Sequence, residues 1–136
     1  MEHYLKMLKK HARVDIEVLP EPKLSSALSP DEIKLRQAAR FERAFGKGAV
    51  VALSDRGRSL DTPGFARWLE RALAAAGGPL TFLIGGAYGL DDSLIKRADE
   101  QISLSPLTFS HQLVRLVLLE QLYRAFSLLS GGPYHK

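Results

Sequence analysis

The chain ends in SGGPYHK, which places a phenol and an imidazole, Tyr134 and His135, almost at the terminus. An imidazole titrates close to neutral pH and can therefore accept or donate a proton in catalysis. The glycines and the proline before these residues end any preceding helix. A tail this short does not fold by itself, so it either docks passively on the domain or carries both side chains to a site. The sequence leaves both interpretations open.

A second candidate for ligand contact is the glycine-rich segment LIGGAYGL, residues 83–90. It lacks the glycine spacing of a dinucleotide-binding fingerprint, and the acidic residue that this fingerprint requires about twenty positions later is also missing. It lacks the lysine of a P-loop as well. Its glycines either supply the positive backbone angles of a strand-to-helix turn or let a flat ligand approach the main chain. Taken alone, the segment favours the turn.

The third candidate is the apolar segment ISLSPLTFSHQ, residues 102–112, which lies between a predicted strand and the final predicted helix. A loop this apolar is not expected to face water. It either packs inside the protein or wraps an adenine ring, with backbone N–H and C=O groups supplying the polar contacts. Both interpretations stay open.

Charged side chains at helical spacing are the remaining candidates. Glu120 and Arg124 lie four residues apart and form either an ordinary helix-surface pair or part of a site. A basic row runs along one face of an earlier predicted helix: Arg36, Arg40, Arg43 and Lys47. Such a row is either solvated surface or a contact for phosphates, each of which adds salt-dependent affinity.

Composition excludes several kinds of site. The 136 residues include no cysteine, and no two of the four histidines have zinc-ligand spacing, so no metal is expected. No G-x-S-x-G segment occurs, which leaves a hydrolase triad unsupported. The candidate ligand-binding segments therefore provide few groups for acid–base or metal chemistry. This favours a reaction whose cofactor is already activated.

Length and charge set the broad class. A chain of 136 residues is expected to form one domain, residues 1–136. Residues 72–90 are uncharged, but glycines and a proline interrupt them, so no membrane span is expected. The net charge of +4 permits a polyanionic partner such as RNA. The lack of cysteine fits a cytoplasmic location.

Hydrophobic periodicity and capping signals predict an alternation of helices and strands. The predicted order is a helix over 2–11, an edge strand over 14–20, a helix capped by Ser29 and running to about Phe45, a strand over 49–54, a loop over 55–61, a helix from Thr62 to Gly77, a strand over 80–85, a helix over 91–100, a strand over 102–105 and a helix over 110–130. This pattern is typical of an α/β fold, with a parallel sheet and helices on both faces.

Ligands of such sheets bind at the carboxyl ends of the strands. Those ends are predicted at Leu53–Asp55, Gly85–Gly89 and Leu104–Phe109, so these three loops form the expected site. The final helix is apolar on more than one stripe, which predicts that a second subunit covers part of it.

Three stretches together resemble the RlmH family of SPOUT methyltransferases: VVALSDRGRSLDTPGFA, LIGGAYGL and SLSPLTFSHQLVRLVLLEQLYRAFSLLSGGPYHK. The resemblance covers about residues 3–136 and includes, in order, the glycine loop, the apolar L-S-x-L-T loop, an H-x-L-V-R helix, E-Q-L-Y-R and a terminal P-Y-H.

This resemblance implies a parallel-sheet α/β-knot fold with a C-terminal trefoil knot that makes a pocket for S-adenosylmethionine (SAM). It further implies a homodimer that methylates N3 of a pseudouridine in 23S ribosomal RNA on the assembled ribosome in the cytoplasm. The alternative is a dimeric ribosome- or RNA-binding module that kept the fold and lost turnover.

By position, the resemblance assigns cofactor contacts to Leu53, Gly85, Leu104, Ser105, Pro106, Leu107, Thr108 and Phe109. It assigns the substrate site and catalysis to Glu120, Arg124, Tyr134 and His135, with His135 as the candidate for proton removal. Relatives usually begin with one more hydrophobic strand, which is absent here. Ala87 stands where relatives often have proline, and Lys136 where they often have arginine.

Overall fold

Three parallel strands and five α-helices make up the computed structural model, which describes residues 1–19, 27–86 and 88–131. In chain order they are α1 (Glu2–Leu8), α2 (Pro30–Arg40), β1 (Ala49–Ser59), α3 (Thr62–Ala75), β2 (Leu80–Leu83), α4 (Asp92–Arg97), β3 (Glu100–Ser103) and α5 (His111–Leu129). A short 3₁₀ helix, Glu42–Ala44, follows α2.

The strand β1 lies at the centre of the sheet. The strand order is β2-β1-β3, and β1 pairs in parallel with both neighbours. Four consecutive β1 residues, 50–53, are buried, as expected for a strand covered on both faces. The predicted parallel sheet is confirmed.

Alternate β1 side chains face two separate cores, because successive residues of a strand point to opposite faces. Val51 and Leu53 belong to a cluster with residues of α1, α3 and α5. Val50 and Ala52 belong to a second cluster with residues of α2 and α4. Helices therefore cover both faces of the sheet, as the alternating pattern predicted.

The start of α2 follows the predicted capping pattern, but its end does not. Ser29 Oγ accepts a hydrogen bond from the Glu32 N–H at 3.2 Å, and Pro30 is the first helical residue. The helix ends at Arg40, so the predicted extension to Phe45 is wrong. Phe41 N–H donates to the carbonyl of Ala38, which tightens the last turn, and Phe41 and Phe45 pack on the second core.

The loop predicted for residues 55–61 is also wrong for residues 55–59, since β1 continues to Ser59. Leu53 and Arg58 both align with Ile102 of β3, so residues 54–57 leave the ladder as a bulge and the chain then rejoins it. At Gly57 a Cβ atom would lie 2.6 Å from the Ile102 carbonyl carbon. Only glycine permits this approach.

The edge strand predicted over residues 14–20 is not formed in its described part, 14–19. Residues of this segment and of β2 both line a cavity of about 800 Å³, which we call the edge cavity. The segment 14–19 pairs with none of the strands β1–β3. Pro20 lies outside the described residues.

The strand β3 covers Glu100–Ser103 rather than 102–105, and α4 covers Asp92–Arg97 rather than 91–100. Asp99 explains both shifts. Its N–H donates to the Val50 carbonyl at 2.8 Å, and its Oδ2 accepts from the Val50 N–H at 2.7 Å. These two hydrogen bonds to β1 end α4 early and bring the next residues into the sheet.

We expect Asp99→Ala to destabilise the fold by about 1–3 kcal/mol, because the N–H of Val50, a residue only 2% exposed, would lose its acceptor. Asp99→Asn keeps an acceptor oxygen and is the matched control. Chemical denaturation measures the free energy of unfolding of both. Equal stability of the two variants would contradict the assigned role.

Candidate functional site

The carboxyl-end loops of all three strands meet at one cavity of about 390 Å³, which we call the loop cavity. It is lined by Leu53–Arg56 from the β1 bulge, by residues of the segment 84–90 after β2, and by residues of the segment 104–109 after β3. Lys34 of α2, Asp92 and Ile95 of α4, and His111 and Val114 of α5 complete the lining. The expected convergence of the three loops is present.

Seven of the eight residues assigned to the cofactor line this cavity. They are Leu53, Gly85, Leu104, Ser105, Leu107, Thr108 and Phe109. Pro106 is exposed and is not part of the lining. The structure thus brings together residues that lie more than fifty positions apart in the chain, while their role as cofactor contacts stays a prediction.

The glycine loop after β2 is shaped by the close approach of its own backbone. Gly89 has φ +82° and its N–H donates to the Gly86 carbonyl at 3.1 Å, which closes a tight turn. A Cβ atom on Gly85 would lie 2.5 Å from the carbonyl carbon of Gly89. The turn interpretation is confirmed for Gly89, whereas Gly85 does not have a positive φ. Contact of the loop with a flat ligand stays a prediction.

The apolar loop after β3 does not pack inside the protein. Leu107 is 68% exposed and Phe109 is 37% exposed, although both border the loop cavity. The interpretation of this segment as simply buried is therefore wrong for the single chain. An apolar wall at the edge of a cavity is available for a planar ligand or for a second protein surface.

Charged side chains of both signs surround the loop cavity. Lys34 and Arg56 are the cations, Asp55 and Asp92 are the carboxylates, and His111 lies at the start of α5. Lys34 also faces Asp91, the N-cap of α4. The pKa of Asp91 is lowered, mainly by the hydrogen bond from the Ser93 hydroxyl, then by the Ser93 N–H and to a smaller degree by Lys34.

Helix α2 is attached to the glycine loop through Gln37, whose Oε1 accepts a long hydrogen bond of 3.4 Å from the Gly86 N–H. This contact and the position of Lys34 bring the basic helix to the side of the loop cavity. Tyr88 belongs to the predicted loop Gly85–Gly89, whereas Lys34, Arg56 and His111 were not predicted as lining residues. His111 lies within the quoted segment 102–112, which was a usable signal, whereas only tertiary packing places Lys34.

The predicted substrate residues lie elsewhere or outside the described part. Glu120 and Arg124 form an ion pair within α5, with an Arg124 Nε to Glu120 Oε1 distance of 3.0 Å, and neither lines the loop cavity. The i,i+4 ion pair that the spacing allowed is thus formed, with the Arg124 and Glu120 side chains 27% and 19% exposed, and its role in a site stays a prediction. Tyr134 and His135 lie outside the described residues.

The residues that the structure describes offer neither a metal-binding cluster nor a membrane-spanning helix. They contain no cluster of three histidine, aspartate or glutamate side chains that could hold a metal ion. They also contain no helix that is both long and apolar enough to cross a bilayer.

Comparison with known proteins identifies relatives along the whole length. A family model described as predicted SPOUT methyltransferase matches residues 1–135. A Bacteroides fragilis protein named Ribosomal RNA large subunit methyltransferase H is 41% identical over 133 residues, which is 97% of this chain and 85% of that protein. Proteins of the same name from Enterococcus faecalis and Acetivibrio thermocellus are 38% and 39% identical over 140 aligned positions, covering 100% of this chain and 88% of each relative.

Proposed function

Because the chain belongs to the SPOUT methyltransferase family, we propose that it transfers a methyl group from SAM to N3 of a pseudouridine in 23S ribosomal RNA on the assembled ribosome. The observation that carries this proposal is the convergence of three strand-end loops on the loop cavity. The names of the relatives, which specify the RNA of the large ribosomal subunit, support the choice of substrate. A ribosomal substrate would place the enzyme in the cytoplasm.

The loop cavity has the chemical character that SAM requires. Its volume of about 390 Å³ is within the range of small-molecule sites. Leu104, Leu107 and Phe109 offer apolar surface to an adenine ring, and the glycine loop exposes backbone groups. Lys34 and Arg56 suit the carboxylate of the methionine part, while Asp55 and Asp92 suit its ammonium group.

SAM supplies a methyl group that is already electrophilic, so the chain has to position and shield rather than activate it. The three loops would hold the cofactor and exclude water, which turns the transfer into a positioned reaction between bound partners. The nucleophilic N3 of the base must lose its proton, and we assign its acceptance to the His135 imidazole.

The remaining substrate contacts follow from chemistry and position. We assign Tyr134 to stacking on the extruded base, which an aromatic ring can do for any nucleotide. Arg124, held by Glu120, would stabilise charge on the base carbonyls. Because this pair lies outside the loop cavity, the base would approach from that side of α5.

We further propose that the active form is a homodimer. Large apolar side chains remain exposed around the loop cavity and at the start of α5: Tyr88, Leu107, Phe109 and Leu113. Exposed apolar surface of this kind next to a site is typical of an interface. A dimer that covers this rim would also let the tail of one chain reach the loop cavity of the other.

The decisive experiment is incubation of the protein with labelled SAM and ribosomes that lack the modification, followed by mapping of the labelled nucleotide. We expect label at N3 of one pseudouridine of 23S RNA. Binding of SAM and ribosomes without transfer would instead support a non-catalytic RNA-binding module.

Gly85→Ala tests the cofactor assignment. Its Cβ would meet backbone at 2.5 Å and displace the glycine loop, so we expect SAM affinity to fall at least tenfold in calorimetry. Gly78→Ala is the matched control, because its Cβ would lie 2.4 Å from the Lys47 carbonyl oxygen, outside the loop cavity. Both variants should lose stability. Equal SAM affinity in the two would count against the pocket.

Deletion of residues 134–136 tests the tail. We expect the truncated protein to bind SAM and to dimerise as the full chain does, but to lose methyl transfer, because the proposed proton acceptor is gone. Calorimetry, sedimentation and the labelling assay measure the three properties. Full transfer by the truncated protein would refute the roles of Tyr134 and His135.

The basic face of α2 is proposed to contact ribosomal phosphates. Arg36 and Arg40 are the test residues, because they are the members of the basic row that lie on α2 itself, which ends at Arg40. For the double variant Arg36→Glu/Arg40→Glu we expect weaker ribosome binding, with the slope of log affinity against log salt reduced by about two. The double variant Arg67→Glu/Arg71→Glu changes the net charge equally on exposed positions of α3 and should keep the slope. An unchanged slope in the α2 variant would make that face ordinary surface.

A further inference from the structure

A buried hydroxyl lies directly beneath the apolar loop. Ser103 and Ser127 are the two polar residues that are buried in the described part of the chain, each 4% exposed. Ser103 is the last residue of β3, and its Oγ donates a hydrogen bond to the Ser105 carbonyl at 2.8 Å. The bond bends the chain immediately after the strand.

A second hydrogen bond continues from this bend. Ser105 Oγ accepts from the Leu107 N–H at 3.0 Å, so the loop is held both at its Ser105 carbonyl and at its Leu107 amide. Leu104, Ser105 and Leu107 all line the loop cavity. The two serine hydroxyls therefore fix the shape of one cavity wall, of which only Ser105 is itself a lining residue.

The Ser103 side chain is held by rigid surroundings. Ser103 aligns with Ser59, in the part of β1 that rejoins the ladder after the bulge, and the preceding Ile102 is only 1% exposed. The donor is thus attached to the sheet, whereas the acceptor belongs to an exposed loop. This hydrogen bond therefore fixes the position of the loop relative to the sheet.

We propose that Ser103 is a positioning residue that pre-forms the apolar wall of the loop cavity for SAM through the Ser105 carbonyl. This inference rests on the SAM site proposed above. The hydroxyl does not touch the ligand. It would reduce the conformational entropy that the loop loses when SAM binds, because the hydrogen bonds of Ser103 and Ser105 already hold the wall in one shape.

Removal of the hydroxyl should therefore act on cofactor binding more than on catalysis. A single buried hydrogen bond corresponds to about a tenfold change in an equilibrium constant. For Ser103→Ala we expect SAM affinity to fall about tenfold and KM for SAM to rise by the same factor. The kcat and the KM for ribosomes should stay close to those of the unaltered protein. Ser103→Thr keeps the hydroxyl and should restore affinity.

Ser127→Ala is the matched control, because Ser127 is equally buried but lies on α5 outside the loop cavity. Amide hydrogen exchange of Leu107 in ligand-free protein is a second measurement that needs no cofactor. It should accelerate in Ser103→Ala and not in Ser127→Ala, since the loop loses its attachment to β3.

The outcomes separate this inference from the proposed function. Loss of SAM affinity and faster Leu107 exchange in Ser103→Ala alone would support it. Unchanged affinity and exchange, or an equal loss in Ser127→Ala, would overturn it. If the unaltered protein binds no SAM, the proposed cofactor is wrong, and the positioning role of Ser103 in SAM binding is overturned with it.

Discussion

The site depends on one backbone contact, the approach of β1 to Ile102 at two points. Leu53 and Arg58 both align with that residue, and three of the four residues between them, Ser54, Asp55 and Arg56, line the loop cavity. The second alignment requires Gly57, where any side chain would collide with the β3 backbone. The bulge that supplies Ser54, Asp55 and Arg56 to the cavity thus exists because the strand returns to the same partner.

The loops around the cavity are shaped by the protein's own hydrogen bonds and backbone contacts. The glycine loop closes through Gly86 and Gly89, and the apolar loop is held by the Ser103 and Ser105 hydroxyls. These walls present backbone groups to the cavity. Among the described residues, the charged side chains in the lining are Lys34, Asp55, Arg56 and Asp92, and His111 adds an imidazole. This arrangement suits a reaction whose cofactor brings its own electrophile, because the chain then contributes mainly position and exclusion of water.

The central strand of the sheet is more tightly packed than the region beside the edge cavity. Burial of four consecutive β1 residues joins two cores across the sheet, which gives the strand ends a rigid base. The edge cavity borders β2 and the segment 14–19, and this segment forms no strand. The site is attached to the well-packed central strand, so the loop cavity is formed although the predicted edge strand is not.

Local sequence determined the elements whose signals lie within a few residues. The Ser29 cap, the buried run at 50–53, the start of α3 at Thr62 and the start of α5 after Ser110 were all predictable, because capping and periodicity are short-range properties. The three loops and the family resemblance also came from the sequence alone. Tertiary structure decided the rest. The end of α2, the β1 bulge, the early start of β3 and the placement of Lys34 all depend on contacts between distant residues, such as Asp99 with Val50. No local pattern encodes which strand a backbone will meet, so these features emerge only when the chain is packed.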